Sequence, residues 1–282
     1  MKVSVGDVRL FVDVDGAGLV PEGASMRERP TVLLLHTGPG ADHSLYKDTI
    51  GPPLTRVAQV VYLDQRGDGR SDRSDSSRWT LDTWVDDLHA FLGALELERP
   101  VLLGSSVGAL VALRFAARYP DVPSRLVLVS AVARHVHARS VAAFDRLGGP
   151  RAGEVAARYY AGPNDVTFAE YLRVCLPLYT RRGLDAEVVA RMEMNPSATE
   201  HWDGVESRRV DLRDEVGAIR CPILLLAGED DPAFALPGVE ELAEHLPQQL
   251  LDFRRYPNAG HGVFRDAPEA IDEVVAFVRG AS

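Results

Sequence analysis

Val101-Leu-Leu-Gly-Ser-Ser106-Val-Gly108-Ala-Leu-Val-Ala-Leu-Arg-Phe-Ala-Ala-Arg-Tyr119 joins two kinds of sequence across one short turn. The run Val101–Leu103 is wholly apolar and ends at Gly104, which reads as a strand buried on both faces. The alanine- and leucine-rich run from Val107 reads as a buried helix that stops before Pro120. Between them, Gly104-Ser105-Ser106-Val107-Gly108 fits the pattern G-x-S-x-G, a sharp strand-to-helix turn that holds one serine exposed and strained. Glycine is needed at both ends because a Cβ there would collide with the neighbouring strand or helix. The turn also gives Ser106 a chemical setting. Its hydroxyl stands at a helix N-terminus, where free N–H groups and the helix dipole favour negative charge. The amide of Val107 would then face an oxyanion formed on an attacked carbonyl.

On either side of this turn the chain repeats the same rhythm. Thr31–His36, Val60–Asp64, Arg125–Ser130 and Pro222–Gly228 all read as buried strands. Thr80 can cap a helix that places Leu81, Trp84, Val85, Leu88, Phe91, Leu92 and Leu95 on one face. A helix near 240–246, a strand near 250–256 and a helix from Pro268 to Arg279, capped by Gly280, close the chain. At the other end, Val3–Val14 alternates around Gly6-Asp7, the pattern of an antiparallel hairpin at a sheet edge, and Asp15–Pro30 reads as a loop. Apolar strands alternating with helices predict an α/β fold, a mostly parallel sheet with helices on both faces.

Residues 134–210 break the rhythm, with helical stretches and no strand. Thr167-Phe-Ala-Glu170 reads as a capping box, and Asp185 as the cap of a helix carrying Val188, Val189 and Met192. An insertion at this place predicts a helical lid over the C-terminal edge of the sheet. The chain thus divides into a first core part (1–133), a cap (134–210) and a second core part (211–282).

With 282 residues, 46% of them hydrophobic, the chain can bury a substantial core. Its net charge of −10 opposes nucleic-acid and anionic-membrane partners, both of which need a basic surface. Met1–Asp7 lacks the apolar segment of a signal peptide, and no uncharged run approaches the ~18 residues a membrane span needs, so a cytoplasmic protein is expected. Cys175 and Cys221 have neither metal-ligand spacing nor a disulfide framework, and read as small buried hydrophobes. No metal or organic cofactor is expected.

A serine hydroxyl needs a base, and the base needs an orienting group. In a fold of this kind the order along the chain is serine, then acid, then histidine, each in a loop after a strand. Gly228-Glu-Asp-Asp231-Pro follows the strand Pro222–Ala227 and supplies the acid, with Glu229 and Asp230 competing with Asp231. Pro257-Asn-Ala-Gly-His261-Gly follows the next strand and supplies the base. His36-Thr-Gly-Pro-Gly40 also follows a strand, where Gly38 or Thr37 would offer a second oxyanion donor. The loop Asp64–Ser71 lacks the order of a phosphate-binding loop and reads as bracing for the rim of the site.

Taken together, these five motifs resemble the α/β-hydrolase superfamily. His36-x-Gly-Pro-Gly40 with Asp64-Gln-Arg-Gly-Asp-Gly-Arg-Ser71 is similar to the proline iminopeptidase (prolyl aminopeptidase) group. The resemblance implies an eight-stranded, mostly parallel sheet with a helical cap after the sixth strand. It implies Ser106 as nucleophile, His261 as base, Asp231 as orienting acid, and the amides of Val107 and Gly38 as oxyanion hole. The substrate it implies is a small molecule or short peptide. Thr37 departs from the family's His-Gly-Gly-Pro-Gly. The family's substrate-amine segment, which contains Trp and Glu, has its nearest counterpart around Trp202; the candidate carboxylates of the lid are Glu170, Glu193, Glu200, Asp203 and Glu206, with Glu200 and Glu206 favoured because they flank Trp202. An esterase, lactonase or carbon–carbon-bond hydrolase needs only an apolar lid, and a non-catalytic ligand-binding protein of this fold is the remote alternative.

Overall fold

The computed structural model describes residues 1–280. Ten strands run in chain order: β1 (Lys2–Val5), β2 (Val8–Asp15), β3 (Leu19–Glu22), β4 (Ser25–Glu28), β5 (Thr31–Leu35), β6 (Gln59–Leu63), β7 (Val101–Ser105), β8 (Arg125–Val129), β9 (Ile223–Gly228) and β10 (Leu251–Tyr256). Eight of them form one sheet in the order β1-β2-β6-β5-β7-β8-β9-β10. The β1–β2 hairpin is antiparallel, β2 joins β6 antiparallel, and the remaining pairings are parallel. This is the eight-stranded α/β-hydrolase sheet that the resemblance implies.

The helices are α1 (Gly51–Leu54), α2 (Leu81–Ala94), α3 (Val107–Arg118), α4 (His137–Gly148), α5 (Pro150–Ala161), α6 (Asp165–Val174), α7 (Ala186–Arg191), α8 (Pro196–Gly204), α9 (Leu236–His245), α10 (Val263–Asp266) and α11 (Glu269–Arg279). Strand side chains alternate between the two faces of the sheet. Leu33, Leu102 and Leu126 pack with α2 and α3 on one face, while Val32, Leu103 and Val127 pack with α11 on the other. Between β8, the sixth strand of the sheet, and β9 lie α4–α8 without any strand. Phe144, Tyr159, Tyr160 and Tyr171 give that helical segment a small core of its own.

Two sequence expectations need correction. Asp15–Pro30 is not wholly loop: β3 and β4 pair as a separate antiparallel hairpin, turned at Gly23, whose φ is +61°. Both strands are largely exposed, so backbone pairing rather than burial holds them, and no alternating apolar pattern marks them. The capping box of α6 begins at Asn164, not Thr167. The Asn164 side chain accepts the amides of Val166 and Thr167, and Thr167 returns the bond from three residues inside. Asp185 does cap α7, as its position predicts. Cys175 and Cys221 are free and buried.

Candidate active site

Four strands of the sheet, β5, β7, β9 and β10, end in the loops that carry the candidate residues. After β7 the chain turns so sharply that Ser106 takes a φ of +54°, left-handed and strained for a residue with a Cβ. Crowding forces the flanking glycines. A Cβ on Gly104 would run into the carbonyl of Gly108, and one on Gly108 into the carbonyls of Leu35 and His36. The Ser106 amide is fixed to the Val129 carbonyl at 2.9 Å. Val107 opens α3, so its N–H has no acceptor within the helix.

After β9, Asp231 is buried and its Oδ1 accepts the amides of Ala233 (2.8 Å) and Phe234 (2.9 Å). Its Oδ2 stands 2.8 Å from His261 Nδ1, on the loop after β10. Burial alone would raise the Asp231 pKa, but His261 and the amide bonds hold it below the usual carboxylate value. Asp230 faces the other way, toward Arg146 and Arg181. With Asp231 engaged at Nδ1, the imidazole keeps Nε2 for other work. Tyr179 and Phe234 press edge-on against the ring, at centroid distances of 5.2 and 5.7 Å. Among the described residues no hydrogen bond joins Ser106 to His261, yet both line one cavity of about 500 Å³. Such contacts commonly tighten only when substrate binds.

The loop after β5 differs from expectation. The Gly38 amide donates to His36 Nδ1 at 3.1 Å, because the loop folds back over its own histidine. His36 Nε2 stands equally 3.1 Å from the Gln65 amide, and a neutral imidazole accepts at one nitrogen only, so its tautomer decides whether the Gly38 amide is engaged or free for an oxyanion. The loop Asp64–Ser71 packs beneath it. Asp64 accepts the His43 and Arg70 amides, Asp68 accepts the Gly40 amide at 2.7 Å, and Arg66 is clamped by Asp87 and Asp7. Burial lifts the Asp68 carboxyl to about 8. The Asp64–Ser71 loop thus braces the rim from below.

Over the cavity, the helical segment contributes an almost wholly apolar wall, including Tyr159, Tyr160, Phe168 and Trp202. The structure corrects the carboxylates expected beside Trp202. On α8, Thr199, Trp202 and Asp203 share the face toward the cavity, and Glu200 falls on another face and does not line it. Glu206 lies one turn beyond and accepts the Leu81 amide at 2.9 Å, capping α2 instead. The acid that reaches the cavity is Asp203. Its Oδ2 receives the Tyr159 hydroxyl at 2.7 Å, and its Oδ1 has no hydrogen-bond partner among the described residues. Burial raises its pKa to about 6, against the opposing pull of Tyr159 and Arg208. Adjacency to Trp202 is the only sequence signal for it.

A family model described as alpha/beta hydrolase fold matches residues 30–268. A protein of Caulobacter sp. (strain K31), assigned by its name to carbamate hydrolysis, is 31% identical over 93% of this chain and 95% of its own. A 2-hydroxy-6-oxo-2,4-heptadienoate hydrolase of Pseudomonas putida is 31% identical over 83% of each chain. Among solved structures, a proline iminopeptidase-related protein of Thermus thermophilus is 25% identical, with a TM-score of 0.74 over 100% of this chain and 96% of that one.

Proposed function

Because the chain belongs to the α/β hydrolase fold family, we propose that it is a serine hydrolase that cleaves a small amide whose acyl part carries a free amine. The observation that carries the proposal is His261, held 2.8 Å from the buried Asp231 and sharing one cavity with a serine held at the N-terminus of α3. In the first step Ser106 Oγ attacks the substrate carbonyl and His261 Nε2 takes the serine proton. The carbonyl electron pair moves to oxygen, which the Val107 amide stabilises. Collapse expels the amine, which takes the proton from His261 and leaves an acyl-enzyme. Water activated by His261 then repeats the sequence and frees Ser106.

Asp203 favours an amine-bearing substrate. An ammonium entering an apolar cavity loses its hydration and needs a fixed anion there. The carboxylate of Asp203, with one oxygen unpaired, supplies it. A second reading, ester or carbon–carbon-bond hydrolysis, draws on the otherwise apolar wall and on the Pseudomonas putida relative. Comparing aminoacyl 4-nitroanilides with their N-acetylated forms separates the two. The amine reading expects at least about tenfold preference for the free amine. Equal turnover, or turnover of neither beside brisk 4-nitrophenyl ester hydrolysis, would favour the second reading.

A further inference from the structure

The helical segment comes down onto the loop that carries His261. Tyr179, Thr180, Arg181 and Arg182 follow the 3-10 turn Leu176–Leu178 and lie against both glycines that flank the histidine. A Cβ on Gly260 would stand 2.5 Å from the Tyr179 carbonyl oxygen, and one on Gly262 would stand 3.3 Å from the Thr180 Cβ. The closeness of this segment therefore demands glycine before His261. The Gly262 amide donates to the same Tyr179 carbonyl at 3.2 Å.

Asp266, the last residue of α10, ties the two pieces of chain together. Its Oδ2 accepts the Gly260 amide at 2.9 Å, on the residue before His261. Its Oδ1 accepts the Thr180 hydroxyl at 2.6 Å and the Arg182 amide at 3.3 Å. Both oxygens accept the Arg181 amide, at 3.0 and 3.1 Å. Four donors from two segments thus converge on one carboxylate, whose two oxygens can accept them all. The Arg181 guanidinium extends the tie to Asp230, the neighbour of Asp231.

On the sheet side, the histidine is held by Asp231 at Nδ1 and by Ser130, whose hydroxyl donates to the His261 carbonyl at 3.2 Å. On the opposite side it has the segment that Asp266 holds. From that segment Tyr179 presses on the imidazole, and its hydroxyl meets that of Tyr171 at 2.7 Å, which meets that of Tyr160 at 3.0 Å. All three tyrosines line the cavity, while Asp266 does not.

We propose that Asp266 is a positioning residue for His261. It fastens the segment from Tyr179 to Arg182 to the histidine loop, and the imidazole keeps its place beside Ser106 only while the two are joined. The proposal rests on the reading of His261 as base. A group that never touches substrate can act this way, because a shift of about 1 Å in a reacting geometry costs about 100-fold in rate.

The test is Asp266→Asn, which keeps the shape of the side chain but turns an NH2 toward groups that themselves donate. Rates are taken on whichever substrate the wild type turns over, an aminoacyl 4-nitroanilide or a 4-nitrophenyl ester, per site titrated with a fluorophosphonate. In the variant kcat should fall about 10- to 100-fold with KM within about twofold. The low-field proton signal of the His261 Nδ1–H, which faces Asp231, should shift or broaden. Thr180→Val removes one bond to the same carboxylate and should lower kcat about threefold or more; it serves alone if Asp266→Asn does not fold. A lower denaturation midpoint with kcat per titrated site unchanged would make Asp266 a structural tie only and overturn the proposal. So would a higher KM with kcat and the proton signal unchanged. A wild type whose Ser106 takes no fluorophosphonate would remove the reading of His261 as its base, and this proposal with it.

Discussion

The sheet edge and the helical segment above it place functional side chains by different rules. At the edge, each candidate residue sits in the first residues after a parallel strand, and the backbone itself fixes where the side chain goes. Ser106 is held at a φ of +54° between two glycines, each at a place where a Cβ would collide with the facing backbone. Asp231 is held by two amides and one imidazole. Above the edge, position depends on which face of a helix turns inward. Trp202 and Asp203 reach the cavity, while Glu200, two residues before Trp202, does not. Placement at the edge is thus rigid and local, whereas placement on the helices follows packing between elements distant in sequence.

If that contrast is right, neighbouring acids at the edge should differ sharply. Asp231→Asn should lower kcat by about 10⁴-fold, since it favours the wrong imidazole tautomer, while Asp230→Asn should cost under about tenfold. Comparable losses at both positions, in parallel kinetics on one substrate, would break the assignment.

A smaller effect is expected from the helices, and it should depend on substrate. Asp203→Asn should cost about 10- to 100-fold with free-amine anilides and little with acetylated ones or esters. Its carboxyl, raised to about 6 by burial, is charged above that pH and neutral below it. The ratio of kcat/KM for free-amine over acetylated substrate should therefore fall as pH drops through about 6, and Asp203→Asn should flatten it. Taking the ratio cancels the titration of groups common to both substrates. A ratio that stays constant from about pH 5 to 8 in the wild type would detach Asp203 from amine recognition.

Smallest of all should be Glu206→Ala. Losing the cap on the Leu81 amide should lower stability by about 1 kcal/mol, read as a drop in denaturation midpoint, with the free-amine preference unchanged. A changed preference would place Glu206 back among the substrate contacts.

What is legible in the sequence follows the same division. The eight-stranded sheet can be read because its strands are apolar runs with punctuated ends, and the candidates Ser106, Asp231 and His261 can be placed at its edge because each lies in a loop directly after a strand. The β3–β4 hairpin escapes such a reading because exposed strands carry no burial pattern. Gly38 is harder to read, because a glycine announces freedom of the backbone and not the direction its amide takes, which the tautomer of His36, two residues away, decides. Glu200 and Glu206 look better placed than Asp203 because they flank Trp202 in sequence, but Glu200 lies two residues, about 200°, from it around α8, and the helix ends at Gly204, before Glu206.

The most direct measurement on the central claim is covalent labelling with a fluorophosphonate, followed by intact mass and peptide mapping. The account predicts one phosphonylated residue, Ser106, formed faster than with free serine and abolished in Ser106→Ala. Labelling that maps to Ser105, or that persists in Ser106→Ala, would contradict it.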